Sequence, residues 1–189
     1  MSSETITTES GEYLLIKEAK TFADAITASK TYDGHLAQFE TKEEATNVWT
    51  EINKLIPSLT SSFDSTVAND GGGASYIWLG GSDGDTTSTQ TSSTWNWKWS
   101  ESSIDIAKTR TEWGTGYGGT EPDNSRGTQH RLALGLEDWS RGNPGKYGNA
   151  GEWNDVNASN QLWFLVEKHT TAFNVTNTSM INKITSTIS

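Results

Sequence analysis

Apolar positions in this chain come in short blocks, and the spacing within each block predicts its element. Tyr13-Leu14-Leu15-Ile16 is an unbroken run suited to a buried first strand. Thr21-Phe22-Ala23-Asp24 has the form of a capping box, with Phe22, Ala25, Ile26 and Ser29 on one face of the helix that follows. Gly34 is placed to end that helix. A second capping box, Thr41-Lys42-Glu43-Glu44, opens a longer helix in which Ala45, Val48, Trp49, Ile52 and Ile56 repeat at helical spacing. Pro57 is expected to stop it, because proline has no N–H for the helical ladder. Tyr76-Ile77-Trp78-Leu79-Gly80, Leu132-Ala133-Leu134 and Leu162-Trp163-Phe164-Leu165-Val166 read as strands. Trp95, Trp97 and Trp99 alternate with Asn96 and Lys98 at strand period, one aromatic face in all. That stripe reads as core in preference to an exposed sugar platform.

Polar stretches separate these blocks. Ser58 to Ala74 is rich in Ser, Thr, Asn, Asp and Gly and reads as a loop or insertion. Its Gly71-Gly72-Gly73 lacks the lysine and helix start that would make a phosphate cradle. From Lys108 to Asn160 most of the chain is Gly, Asn, Asp, Trp and Tyr without periodicity. Two helices near the start, short strands later and long loops in the second half indicate an α+β domain. A chain of 189 residues holds one such domain with a real core. Residues 1–10 and 169–189 are polar without pattern and are expected to be a linker and a tail or linker. Residues 11–168 are then the folded module, excised from a longer, secreted protein.

Composition narrows the function classes. There is no cysteine, so neither a disulfide framework nor a thiolate metal site is available. The net charge is −10, from 24 acidic and 14 basic residues. A polyphosphate would be repelled by that average surface, so nucleic acid is not an expected partner. No apolar run reaches the ~20 residues that span a bilayer, and no basic-then-apolar leader opens the chain.

Two loop segments carry candidate chemistry: Glu121-Pro122-Asp123-Asn124 and Glu152-Trp153-Asn154-Asp155. Together they offer carboxylate and amide oxygens, the ligand types of calcium. Clustered carboxylates repel one another unless a cation holds them. Taken singly, each segment reads first as an Asx-rich turn formed for local reasons.

From Tyr13 to Glu167 the chain resembles the C-type lectin family. The resemblance rests on block order: first strand, two helices, Trp78-Leu79-Gly80, the Trp95–Trp99 strand, a Glu-Pro-Asx loop, Trp153-Asn154-Asp155, then a final apolar strand. It implies a C-type-lectin-like fold with two helices, two small antiparallel sheets and a long calcium-binding loop region. It also implies one principal calcium held by Glu121, Asp123, Gln129, Asn154 and Asp155. The same side chains would hydrogen-bond two adjacent hydroxyls of a sugar that completes the metal's shell, with the Glu121–Pro122 peptide cis.

The chain departs from the family pattern in three ways. Glu121-Pro122-Asp123 is a hybrid of the mannose-type Glu-Pro-Asn and the galactose-type Gln-Pro-Asp, so it names no sugar. Gln129 stands where a glutamate is usual, which offsets the extra charge of Asp123. Asn124 and His130 occupy positions that are often Asp and feed an auxiliary calcium site, so that second site is expected to be absent or changed, with His130 a surface or hydrogen-bonding residue. Asp83 and Asp85 could hold another ion but read first as a polar turn. Trp113, Tyr117, Trp139 and Tyr147 could stack on a sugar or simply pin their loops.

The expected function is therefore calcium-dependent binding of a cell-surface carbohydrate, as the ligand-binding module of a bacterial surface adhesin with neighbouring domains in a longer chain. The missing disulfides, common in bacterial members, point to that source and to an extracellular or cell-surface location. An alternative is a module of the same fold that binds a protein or another surface without sugar. An enzyme is not expected. A glycosidase could pair Glu121 with Glu152 or Asp155, but two carboxylates alone do not make one.

Overall fold

The computed structural model describes residues 3–84, 95–107 and 110–169. Its elements run β1 (Ser3–Thr7), β2 (Glu12–Lys20), α1 (Phe22–Lys30), β3 (Gly34–Leu36), α2 (Lys42–Leu59), β4 (Val67–Ala68), β5 (Ala74–Ser82), β6 (Lys98–Trp99), β7 (Thr115–Gly116), β8 (Gly119–Thr120), β9 (Arg131–Gly135), β10 (Trp153–Val156) and β11 (Leu162–Lys168). Short 3₁₀ turns cover Thr60–Ser65 and Ser125–Gly127. Both helices and the strands expected from the apolar blocks are present, the Trp95–Trp99 one only over Lys98–Trp99, and the class is α+β.

The strands follow one path, β1-β2-β11-β5-β9-β10, with β3 on β11 and both β4 and β6 on β5. β7 and β8 form a separate hairpin. All pairs are antiparallel except β11 with β5, where Trp163 lies beside Ile77 and Phe164 beside Trp78. Thr66 bridges this parallel seam: its hydroxyl donates to the Tyr76 carbonyl and accepts from the Trp163 amide at 2.8 Å. The two small sheets implied by the resemblance are thus continuous through β11 and β5.

Both faces of the central strands are covered, which is why their sequences are unbroken apolar runs. Ile77, Leu79, Trp163 and Leu165 pack on one side with Ala45, Val48 and Ile52 of α2. Tyr76, Trp78, Leu162, Phe164 and Val166 pack on the other with Phe22 and Ala25 of α1. The tryptophan stripe is core, as its pattern suggests. Trp97 and Trp99 are fully buried, although only Lys98–Trp99 is regular strand.

Several expectations change in detail. Residues 3–7 are not linker: β1 hairpins onto β2 and buries Ile6. Gly34 does not end α1, which closes at Lys30; a side chain at 34 would lie 2.3 Å from the Glu167 carbonyl, so β3 needs glycine to approach β11. Helix α2 runs two residues past Pro57, losing one ladder bond while Leu59 is buried. The stretch from Ser58 to Ala74 therefore holds the helix end, a 3₁₀ turn and β4 before its loop. Both N-caps form, Thr21 accepting from the Asp24 amide and Thr41 from the Glu44 amide. In neither does the acid reach back to the cap's own amide: Asp24 accepts from the Thr21 hydroxyl and Glu44 from the Glu40 amide. Beyond His169 the expected tail lies outside the described residues, as does Asp85.

Candidate functional site

The segment between β8 and β9 folds back against β10 on a buried carboxylate. Asp155, wholly buried, accepts the Asp123 amide at 3.1 Å on one oxygen and the Asn124 amide at 2.8 Å on the other. The Ser125 amide is shared between Asp123 Oδ1 at 2.8 Å and Gln129 Oε1 at 2.7 Å. Gln129 gives its amide N–H to Asn124 Oδ1 and its Nε2 to the Asp70 carbonyl. Asn124 and Arg126 hold left-handed backbone conformations, φ 46° and 60°, beside Gly127 at 69°. The Glu121–Pro122 peptide is cis.

Against this frame two oxygens stand out. Glu121 Oε1 accepts from Trp139 Nε1 at 3.4 Å, but Oε2 is buried with no hydrogen-bond partner among the described residues. Asn154 Nδ2 donates to the Tyr76 hydroxyl at 2.9 Å, and that hydroxyl donates to the Gly71 carbonyl at 2.7 Å. The chain orients the Asn154 amide and leaves its Oδ1 buried and equally unpartnered. Buried acceptors without donors cost of order 1–3 kcal/mol each, so two in one place point to a missing electropositive partner.

The charges say the same. One oxygen each of Glu121, Asp123 and Asp155 lies within 4.8 Å of the others. Burial, followed by the Asp155 and Asp123 charges, pushes the Glu121 carboxyl up to about 9. Burial also raises Asp155, to about 7, against the opposing pull of the loop amides that it accepts. Oxygen donors only, three of them acidic, make a set for a hard cation of the calcium type.

These groups border a cleft of about 390 Å³, lined by Glu121, Asp123, Gln129, Asn154, Trp139 and Tyr147 together with Asp70 and Arg126. All five residues singled out from sequence therefore come together, with Asp155 beneath the cleft's lining. Glu152 does not line it: its carboxylate accepts the Asn149 and Thr115 amides. Of the loop aromatics, Trp113 and Trp139 are core and pin their loops, Tyr147 is half-buried in the lining, and Tyr117 is 76 % exposed on the β7–β8 hairpin. His130 Nδ1 lies 3.0 Å from Asp83 Oδ2, both buried, and Asn124 is spent on the loop. Asn124 and His130, which the resemblance would place at a second ion, are thus engaged in internal hydrogen bonds.

Sequence reasoning missed two supporting residues, Tyr76 and Asp70, and did not show how Trp139 is seated. Tyr76 aims Asn154. Asp70 fastens the cleft's other wall, accepting the Asn157 amide at 2.8 Å and Asn160 Nδ2 at 2.6 Å. Trp139 sits where glycines 114, 135 and 148 leave room; a Cβ at any of them would fall 2.2–2.7 Å from its indole. Glycines on three segments facing one tryptophan carry no signal in a linear chain.

No family model matches the sequence, and no curated protein does either. Solved structures match its shape. Human lithostathine superposes with a TM-score of 0.55 at 19% identity, over 87% of this chain and 95% of that one. The C-type carbohydrate-recognition domain of cow CD23, solved in the presence of a GlcNAc2Man3 oligosaccharide, gives 0.55 at 15% identity over 89% and 95%. CEL-IV gives 0.58 at 17% identity over 90% and 95%. The fold is C-type-lectin-like.

Proposed function

We propose that this domain binds a carbohydrate through a calcium ion in the cleft formed by Glu121, Asp123, Gln129, Asn154 and Asp155, and releases it unchanged. The observation that carries the reading is the pair of buried, unpartnered oxygens, Glu121 Oε2 and Asn154 Oδ1, beside three converging carboxylates. Bound calcium would satisfy both and offer its remaining coordination positions to two adjacent sugar hydroxyls. The chain's own part is to fix the donors beforehand. Trp139 holds Glu121, Tyr76 holds Asn154, and Asp155 clamps the loop that presents Asp123. Tyr147 supplies an apolar wall for the sugar's C–H face. A single shallow site of this kind binds at about millimolar affinity, ~4 kcal/mol. Useful adhesion at a bacterial surface, the role we assign the domain, would come from many copies.

The test is a glycan array probed with the purified domain in calcium and again after chelation. Binding seen only with calcium is the expected result, and it names the sugar. Equal binding in both conditions would remove the metal from the reading. Silence in both would favour a protein or surface ligand instead.

A further inference from the structure

Arg126 is the one arginine or lysine in the cleft's lining. It is exposed, makes no ion pair or hydrogen bond among the described residues, and shares the cleft's lining with Glu121 and Asp123 without being held by either. Its backbone is left-handed at φ 60°, a conformation that costs a non-glycine residue about 1–2 kcal/mol. A glycine would hold this turn at lower cost, as Gly127 does one position later. Strain kept at an exposed, unpaired arginine on the lip of a binding cleft is the pattern of a ligand contact. A second cation, Lys146, lies against a lining residue: its Nζ is 4.9 Å from the ring centroid of Tyr147. Both stand out in a chain whose acidic residues outnumber its basic ones by 24 to 14.

We infer that the cleft prefers an anionic saccharide, one bearing a carboxylate or a sulfate ester, with Arg126 as the residue that contacts the anionic group. The planar guanidinium presents two parallel N–H donors that match either group. With the carboxylates engaged by a cation, the arginine is left facing solvent above a site whose own negative charge is largely neutralised. Lys146 adds to the positive field near Tyr147. This inference rests on the proposed carbohydrate reading and deepens it by naming the substrate class.

The experiment measures binding of three matched glycans in calcium: a neutral hexose disaccharide, its glucuronate-bearing counterpart and its sulfated counterpart. An exposed charge-assisted contact predicts that at least one anionic form binds about 3- to 10-fold more tightly than the neutral one. Arg126→Gln should bring that ratio towards one, and Arg126→Lys should keep part of it. The ratio should also shrink as salt rises from 50 to 500 mM, because an exposed pair is screened. The uronate and sulfate arms tell the two anion sources apart. Equal affinity for all three glycans overturns the inference while leaving the carbohydrate reading intact, as does an unchanged ratio in Arg126→Gln. Absence of any glycan binding in calcium overturns the carbohydrate reading, and this inference falls with it. A far-ultraviolet spectrum and thermal melt matching wild type would exclude misfolding as the cause of a lost ratio.

Discussion

Several side chains at the cleft are held at an energetic cost, Glu121 and Asn154 by a buried unpartnered oxygen and Arg126 by its left-handed backbone. Arg126 illustrates the cost. Replacing it with glycine removes the side chain that clashes with its left-handed backbone, so Arg126→Gly should raise stability by about 0.5–1 kcal/mol. A denaturant melt of the metal-free protein checks this; a loss of stability would mean that the guanidinium is a structural contact after all. Glu121 and Asn154 were legible as oxygen donors from the Glu-Pro-Asp and Trp-Asn-Asp patterns. That one oxygen of each would be buried and unpartnered was not legible, because it depends on Tyr76 and Trp139, far away in sequence. For Gln129 the sequence indicates its place but not its use. Its amide ties Ser125 to Asp70, leaving part of Oε1 for a cation.

At the level of elements, the strands were the most readable part because both faces of β5 and β11 are covered, and continuous apolar runs follow directly. The helices were readable from capping and period. The long loops were not, since what orders them is a set of single long-range bonds: Asp155 to the 123–124 amides, Glu152 to the 149 and 115 amides, Asp70 to 157 and 160. Trp139 is the central wedge among these loops. Trp139→Phe keeps a ring in the glycine-lined space but removes the donor to Glu121. Calcium affinity should fall about fivefold, as expected for one lost hydrogen bond of ~1 kcal/mol. Isothermal titration of calcium into wild type and variant measures it, and unchanged affinity would show that Glu121 needs no such support.

For the whole molecule, pH and calcium should act in opposite senses. Glu121 and Asp155 in the metal-free fold hold their protons up to about 9 and about 7, while the unfolded chain releases them near the ordinary carboxylate values. Between roughly pH 4 and 9 the folded state therefore binds more protons, so stability of the calcium-free domain should rise as pH falls. Cation binding needs those same groups ionised, so calcium affinity falls with acid. The shift in melting temperature produced by a fixed calcium concentration should shrink steadily from pH 8 to pH 5. Melting curves in calcium-depleted and calcium-supplemented buffer give both trends. A calcium shift that grows with acid would place the binding elsewhere.

Asp155 holds the loop by two amides and crowds two other carboxylates at once, so a cation that relieves the crowding should also steady the loop. The peptide bond after Arg126 lies on that loop, with an exposed arginine as its recognition residue. Trypsin should therefore cut between Arg126 and Gly127 readily when calcium is withheld and slowly when it is supplied. The fragments near 126 and 63 residues would appear or fade on a gel with the metal. A protease, in effect, would report whether the cleft is set to receive its ligand.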